Sequence, residues 1–191
     1  MKIGNVIGLA GLSILLGACI PSVNPFYTEK DVIFEPGLVG EWNTTGDTNN
    51  VQTWTFEKSG DNAYKLLINE NGQKHGELSA HLFKVKGRFF LDVIPAECKF
   101  APDQSDLVSA AVFPGHLLFR VPQIEPRLQL ASCDYDWLAK YLEGHPKALA
   151  GHKEDKQCVL TARTKDLQAF VLQHLDELFQ KSEELVRKPS K

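Results

Sequence analysis

Between residues 51 and 94, side chains alternate with a period of two through four successive runs, and no other feature constrains the fold as tightly. Val51–Lys58 sets Gln52, Trp54 and Phe56 against Val51, Thr53, Thr55 and Glu57, and Ala63–Asn69 sets Tyr64, Leu66 and Ile68 against Ala63, Lys65 and Leu67. Leu78–Val85 alternates Leu78, Ala80 and Leu82 with Ser79, His81 and Phe83. Arg88–Ile94 does the same with Phe89, Leu91 and Val93 against Phe90, Asp92 and Ile94. A period of two puts each set on its own face of an extended strand. Asn71-Gly72 and Lys86-Gly87 supply the glycine that tight hairpins need, and Ser59–Asn62 makes a polar loop. Connections this short make neighbours in sequence neighbours in the sheet, an antiparallel meander.

One more strand is expected to start near Leu38, and two others over His116–Val121 and Arg127–Ala131, around a Pro122–Pro126 loop. Gln104–Val112 reads as a short helix. Asp134 is placed to cap a helix running to Glu143, with Trp137, Leu138, Tyr141 and Leu142 on its apolar face and Gly144 as its stop. A shorter helical piece follows Pro146. Cys158–Ala162 reads as the eighth and last strand. Thr164 then starts the longest helix, to about Val186, with Leu167, Phe170, Val171, Leu175, Leu178, Phe179 and Leu185 at helical spacing. The expected fold class is α+β: about eight antiparallel strands, open to closure as a barrel, with C-terminal helices packed on them.

Ahead of the meander, Lys2 gives a positive start and Ile3–Ala18 are apolar except for Asn5 and Ser13. Leu16-Gly17-Ala18-Cys19 then leads through small residues into a cysteine, the layout of a signal-peptide cleavage site. The pattern resembles the lipobox of bacterial lipoproteins. That resemblance implies cleavage between Ala18 and Cys19, lipid on Cys19 as the mature first residue, and anchoring in the cell envelope. A spanning helix needs about 20 apolar residues; this run is shorter and meets Pro21, Ser22, Asn24 and Pro25. A signal cut elsewhere is the other alternative. In the lipoproteins it resembles, aspartate after the cysteine retains the protein at the inner membrane. Ile20 stands there instead, which implies the outer membrane in a Gram-negative source. The chain thus divides into a signal peptide (1–18), a tether and lead-in segment (19–35) and one domain (36–191).

Gly40-Glu41-Trp42 matches the G-x-W signature of lipocalins, whose eight-stranded barrel also precedes a C-terminal helix. In that family the tryptophan closes the base of the barrel under an arginine from the last strand, a part that Arg163 is positioned to play. As a whole the chain resembles a group of small uncharacterised bacterial lipoproteins. These share an N-P-x-Y-T-E-K-D-like segment (Asn24–Asp31) and an L-T-A-x-T-x-x-L-Q-x-F element (Leu160–Phe170), and the resemblance implies no activity.

The net charge of −3 becomes one unit more negative once Lys2 is removed, which gives no electrostatic basis for binding nucleic acid. With Cys19 lipidated, Cys98, Cys133 and Cys158 remain. Cys133 with Cys158 is the favoured disulfide, because each borders an expected strand and the helical excursion between them returns. Closing that loop would stabilise by about 3 kcal/mol; three buried thiols are the alternative. The histidines (His75, His81, His116, His145, His152, His174) show no ligand spacing, so neither metal nor cofactor is expected. No G-x-S-x-G elbow or catalytic cysteine context is present. Asp134 and Asp136 fit helix capping, and Glu183-Glu184 a solvated helix face.

Non-catalytic binding is therefore the leading class, with a small apolar ligand or an envelope protein as partner; a hydrolase with an unrecognised site is the alternative. Trp54, Phe56, Tyr64 and Phe89 are the candidate lining of an apolar pocket. A core filled by the same rings is the competing reading.

Overall fold

The computed structural model describes residues 20–45, 51–96, 113–154 and 157–189. Ala18, Cys19, Cys98 and the expected helix over Gln104–Val112 lie outside them. The strands are β1 (Gly40–Thr44), β2 (Gln52–Ser59), β3 (Ala63–Glu70), β4 (Gln73–Val85), β5 (Arg88–Pro95), β6 (Leu117–Gln123), β7 (Arg127–Ser132), β8 (Gly151–Glu154), β9 (Gln157–Leu160) and β10 (Ser182–Arg187). Eight of them close into a barrel in the order β1-β10-β7-β6-β5-β4-β3-β2, every neighbouring pair antiparallel. The meander read from residues 51–94 forms with its expected faces. Its two tightest hairpins turn on Asn71-Gly72 (φ 50° and 81°) and Lys86-Gly87 (φ 50° and 80°). Positive φ at both central residues is the type I′ geometry that matches strand twist.

The C-terminal third departs from expectation. Residues 164–186 form not one helix but α2 (Thr164–Gln173), the single-turn α3 (Leu175–Leu178) and then β10. Ser182–Arg187 contains too few apolar residues for periodicity to decide between helix and strand. Backbone pairing decides it: β1 and β7 each have an open edge, and β10 joins both, with Leu185 opposite Thr44 on one side and Leu128 on the other. Cys158–Ala162 is consequently not the last barrel strand. Its first residues belong to β9, which pairs with β8 in a separate two-stranded sheet.

The same topology removes the Cys133–Cys158 disulfide. Both cysteines lie in one buried cluster outside the barrel, β9 pairs with β8 rather than with β7, and Cys158 is a buried free thiol. Residues 146–150 hold no helix. The helix after Asp134 does form, as α1 (Tyr135–Gly144), and the Asp134 carboxylate accepts from the Trp137 amide at 2.9 Å.

Alternation in β4 and β5 serves two cores. Leu82, Leu91 and Val93 face the barrel interior with Trp42, Trp54, Phe56, Tyr64, Leu66, Phe119, Leu128, Leu130 and Leu185. Phe83 and Phe90 face outward, into a second core made with Leu138, Leu160, Leu167, Phe170 and Phe179. The segment read as tether and lead-in is bound down from Ile20 onward. Ile20 and Phe26 are each 3% exposed in the outer core. Val32 bridges Phe83, and the Ile33 amide donates to the Leu82 carbonyl at 2.9 Å, beyond the reach of β3. This strap therefore covers an edge of β4 that would otherwise expose unpaired backbone.

Candidate functional site

One end of the barrel is sealed. A 3-10 turn (Pro36–Leu38) precedes β1 and buries Leu38 completely, next to the equally buried Trp42. The Trp42 indole Nε1 donates to the Leu38 carbonyl at 2.9 Å. Arg187, opposite Trp42 on β10, lays its guanidinium 4.1 Å from the centre of the indole ring. The same guanidinium donates to the carbonyls of Val39 (2.8 Å) and Gly37 and meets Glu125 at 3.2 Å. A planar cation with several donors suits this position, where it stacks on a ring and ties together three chain segments. Arg163, expected in this part, is instead exposed and paired with Asp166 at the start of α2. Arg187 falls just past the end of the expected helix, where the sequence carries no strand signal to place it.

Gly40 makes the guanidinium's position possible. Its φ is +134°, and a Cβ there would lie 2.5 Å from Arg187 Nη1. Gly40→Ala is expected to lose about 1–3 kcal/mol from backbone strain and overpacking. Urea titration should show part of that loss disappearing when Arg187→Ala is already in place, since only the backbone component then remains.

Of the four proposed lining residues, three meet inside the barrel. Trp54 lies 6.4 Å from Phe56, and Phe56 stands edge-on to Tyr64 at 6.2 Å between ring centres. The Tyr64 hydroxyl is occupied by the strap, accepting from the Glu35 amide at 2.6 Å. Phe89 shares their face but sits at the β4–β5 turn, half-buried, with the Lys84 ammonium 4.7 Å from its ring centre.

Two polar side chains, Trp54 and Glu183, stand on the interior face. The buried Trp54 Nε1–H has no hydrogen-bond partner. Glu183 lies on the same face of β10 as Leu185, opposite the buried Leu130, and burial pushes its carboxyl above the usual range. A helix would leave Glu183 on a solvated face; the strand turns it inward. Leu38, Trp42 and Leu82 are fully buried; partial exposure falls on Val39, Phe89 and Ile124 around this end and on Ile68, Leu78 and Leu117 nearer the opposite one.

Outside the barrel, Asp92 is a fully buried carboxylate on β5. Its Oδ2 accepts from the Phe26 amide at 2.9 Å, and its Oδ1 lies 2.7 Å from His116 Nδ1. His81, beside Asp92 on β4, stacks on Tyr27 at 4.7 Å. Burial pulls His81 below the usual imidazole range while Asp92 opposes the shift. Burial, followed by the Asp92 charge, pushes the Tyr27 hydroxyl up. The signal for Asp92 in the sequence was an acid inside Phe89–Pro95, where both faces of the strand are otherwise largely apolar.

The outer core also holds a small apolar cavity of about 10 Å³ lined by Phe26, Phe90, Gln168 and Val171 among others, the size of a single water. Among the described residues no group of three or more His, Cys, Asp or Glu side chains is placed to hold a metal. The buried Cys158 thiol is pushed up by desolvation, which disfavours the reactive thiolate.

Compared with family models, curated proteins and solved structures, the chain has no significant match.

Proposed function

We propose that this chain is a lipid-anchored lipoprotein of the bacterial cell envelope whose barrel has a non-catalytic, lipocalin-like role in binding a small, mainly apolar molecule. The observation that carries the binding part is the unpaired, buried indole N–H of Trp54 on the interior face of a closed eight-stranded barrel. Leaving a buried donor unmade costs about 1–3 kcal/mol, and a ligand acceptor recovers that loss. Barrels of this size hold either packed side chains or one small ligand. The sealed Trp42–Arg187 end directs access to the opposite end, where Ile68, Leu78 and Leu117 keep exposure. Glu183 on the same face suits a ligand that also offers a hydrogen-bond donor.

The anchoring part rests on residues 2–19. Each buried acyl CH₂ contributes about 0.8 kcal/mol, so several chains on Cys19 hold a soluble domain at a bilayer.

Two measurements test the two parts separately. Wild-type protein is expected to fractionate with membranes and carry acyl chains by intact mass, whereas Cys19→Ser loses both; a Cys19→Ser variant still bound to membranes refutes the anchor. Native mass spectrometry of protein purified from its own host is expected to show a stoichiometric apolar adduct that Trp54→Phe weakens. Protein that is uniformly free of adduct, and whose Trp54 emission no apolar probe changes, refutes the carrier.

A further inference from the structure

Three places could carry a role beyond the barrel lumen: the buried Asp92–His116 pair, the Trp137–Tyr141–His145 ring stack on α1, and the surface beside residue 19. The carboxylate of Asp92 is used up holding the strap, and the rings of the stack lie against one another, with Tyr141 4.4 Å from His145. The third carries more.

Ile20 is 3% exposed, so no slack chain separates residue 19 from the folded body. The next residues are pinned on both sides. The Ser22 amide donates to the His116 carbonyl and the His116 amide to the Ser22 carbonyl, both at 2.9 Å. The Val23 amide donates to Leu160 at 2.8 Å, and the Leu160 amide donates to Pro21 at 2.9 Å. Ile20, one residue after Cys19 in the sequence, is thereby held against this surface.

That surface is unusual in composition. Among the described residues the exposed large hydrophobic side chains are Val23, at 42%, and Phe113, at 49%. Both flank the departure point. A Cβ on Gly115 would lie 2.4 Å from Pro21 Cβ and 3.6 Å from Phe113 Cε1, so Pro21 and Phe113 approach each other over that glycine. Val23 and Pro21 flank Ser22, which is fully buried, so both stand at the surface around it. Exposed apolar residues scattered singly mean little; two that cluster where a chain joins its anchor mark a contact.

We propose that Pro21, Val23 and Phe113 form a bilayer-contact face, which seats the barrel directly on the leaflet that holds its lipid rather than at the end of a tether. The proposal rests on lipidation of Cys19. Apolar side chains of this kind lie at the boundary of headgroups and acyl chains. One orientation of the barrel then follows, because the anchor and the apolar contacts together fix which side faces the lipid.

The test uses acylated full-length protein in vesicles of phosphatidylethanolamine and phosphatidylglycerol, with lipids brominated along their acyl chains as quenchers. Phe113→Trp adds an indole at the face. Glu57→Trp adds one on β2, which stands across the ring from β6, as control. With wild-type emission subtracted, the indole at position 113 is expected to be blue-shifted and to lose most of its emission to the brominated lipid. The control should stay unquenched, and adding Val23→Asp to the Phe113→Trp protein should weaken the quenching. Protein that floats with vesicles while both indoles stay unquenched overturns the contact face and leaves the anchor intact. Protein without acyl chains that fails to float overturns the anchor, and the contact face with it.

Discussion

Trp42→Ala is expected to lose about 3–5 kcal/mol of stability, the largest single-residue loss in the molecule. The side chain is completely buried, and its removal would open a void at the sealed end of the barrel. The Leu38 carbonyl would lose the donor 2.9 Å away, and the Arg187 guanidinium the ring on which it lies. The site also lies on β1, where Trp42 is paired with Arg187 on β10 and Trp54 on β2. Little can collapse into the gap, because the strand backbones on both sides are fixed by their ladders. Trp42→Phe keeps a ring for the cation but not the indole N–H, so it should fall between the two. Chemical denaturation followed by far-ultraviolet circular dichroism measures both. An alanine variant within about 1 kcal/mol of wild type would show that the base is not built on this residue.

Asp92→Ala should cost about 3 kcal/mol, through a different mechanism. The carboxylate holds two partners, the Phe26 amide and His116 Nδ1, and the amide, in a residue 3% exposed, has no water as a substitute. Removing it leaves both unmade. The damage is directed at the strap, since Phe26 is one of the residues that bury it in the outer core. Amide exchange at Phe26 should therefore accelerate about a hundredfold, the ratio that roughly 3 kcal/mol carries, while exchange in β2 and β3 changes far less. Asp92→Asn keeps one acceptor oxygen and should recover part of the protection. Unchanged exchange at Phe26 in Asp92→Ala would show that the strap is held by packing alone.

The legible part of this fold was the part governed by local rules. Alternation in residues 51–94 assigned the inward and outward faces of β4 and β5, and the glycines at 72 and 87 located their turns. Asp134 announced α1 by its capping chemistry. What the sequence concealed was settled by partners distant in the chain. Ser182–Arg187 has no strong preference of its own and becomes a strand because β1 and β7 need one. That single reassignment moves Glu183 from a solvated helix to the barrel interior and puts Arg187 where Arg163 had been expected. It also leaves β9 with β8, outside the barrel. Of the site, the rings Trp54, Phe56 and Tyr64 were readable as one inward set, whereas Asp92 and Glu183 needed their neighbours.

Because β10 closes the barrel, the first strand waits for the last. Arg187 bonds the Val39 carbonyl across 148 residues of chain, and the helices and the β8–β9 sheet must be threaded before that contact exists. Contacts this distant are slow to form, because the chain entropy of the intervening segment is lost before the contact rewards it. Until they form, β1 and β7 present bare backbone edges of the kind that seed aggregation. A chain shortened by its last ten residues would keep every hairpin of the meander and yet remain an open sheet. Closure in this protein depends on β10, held at its seam with β1 by the strand ladder, by Arg187 and by Lys188 on Glu41.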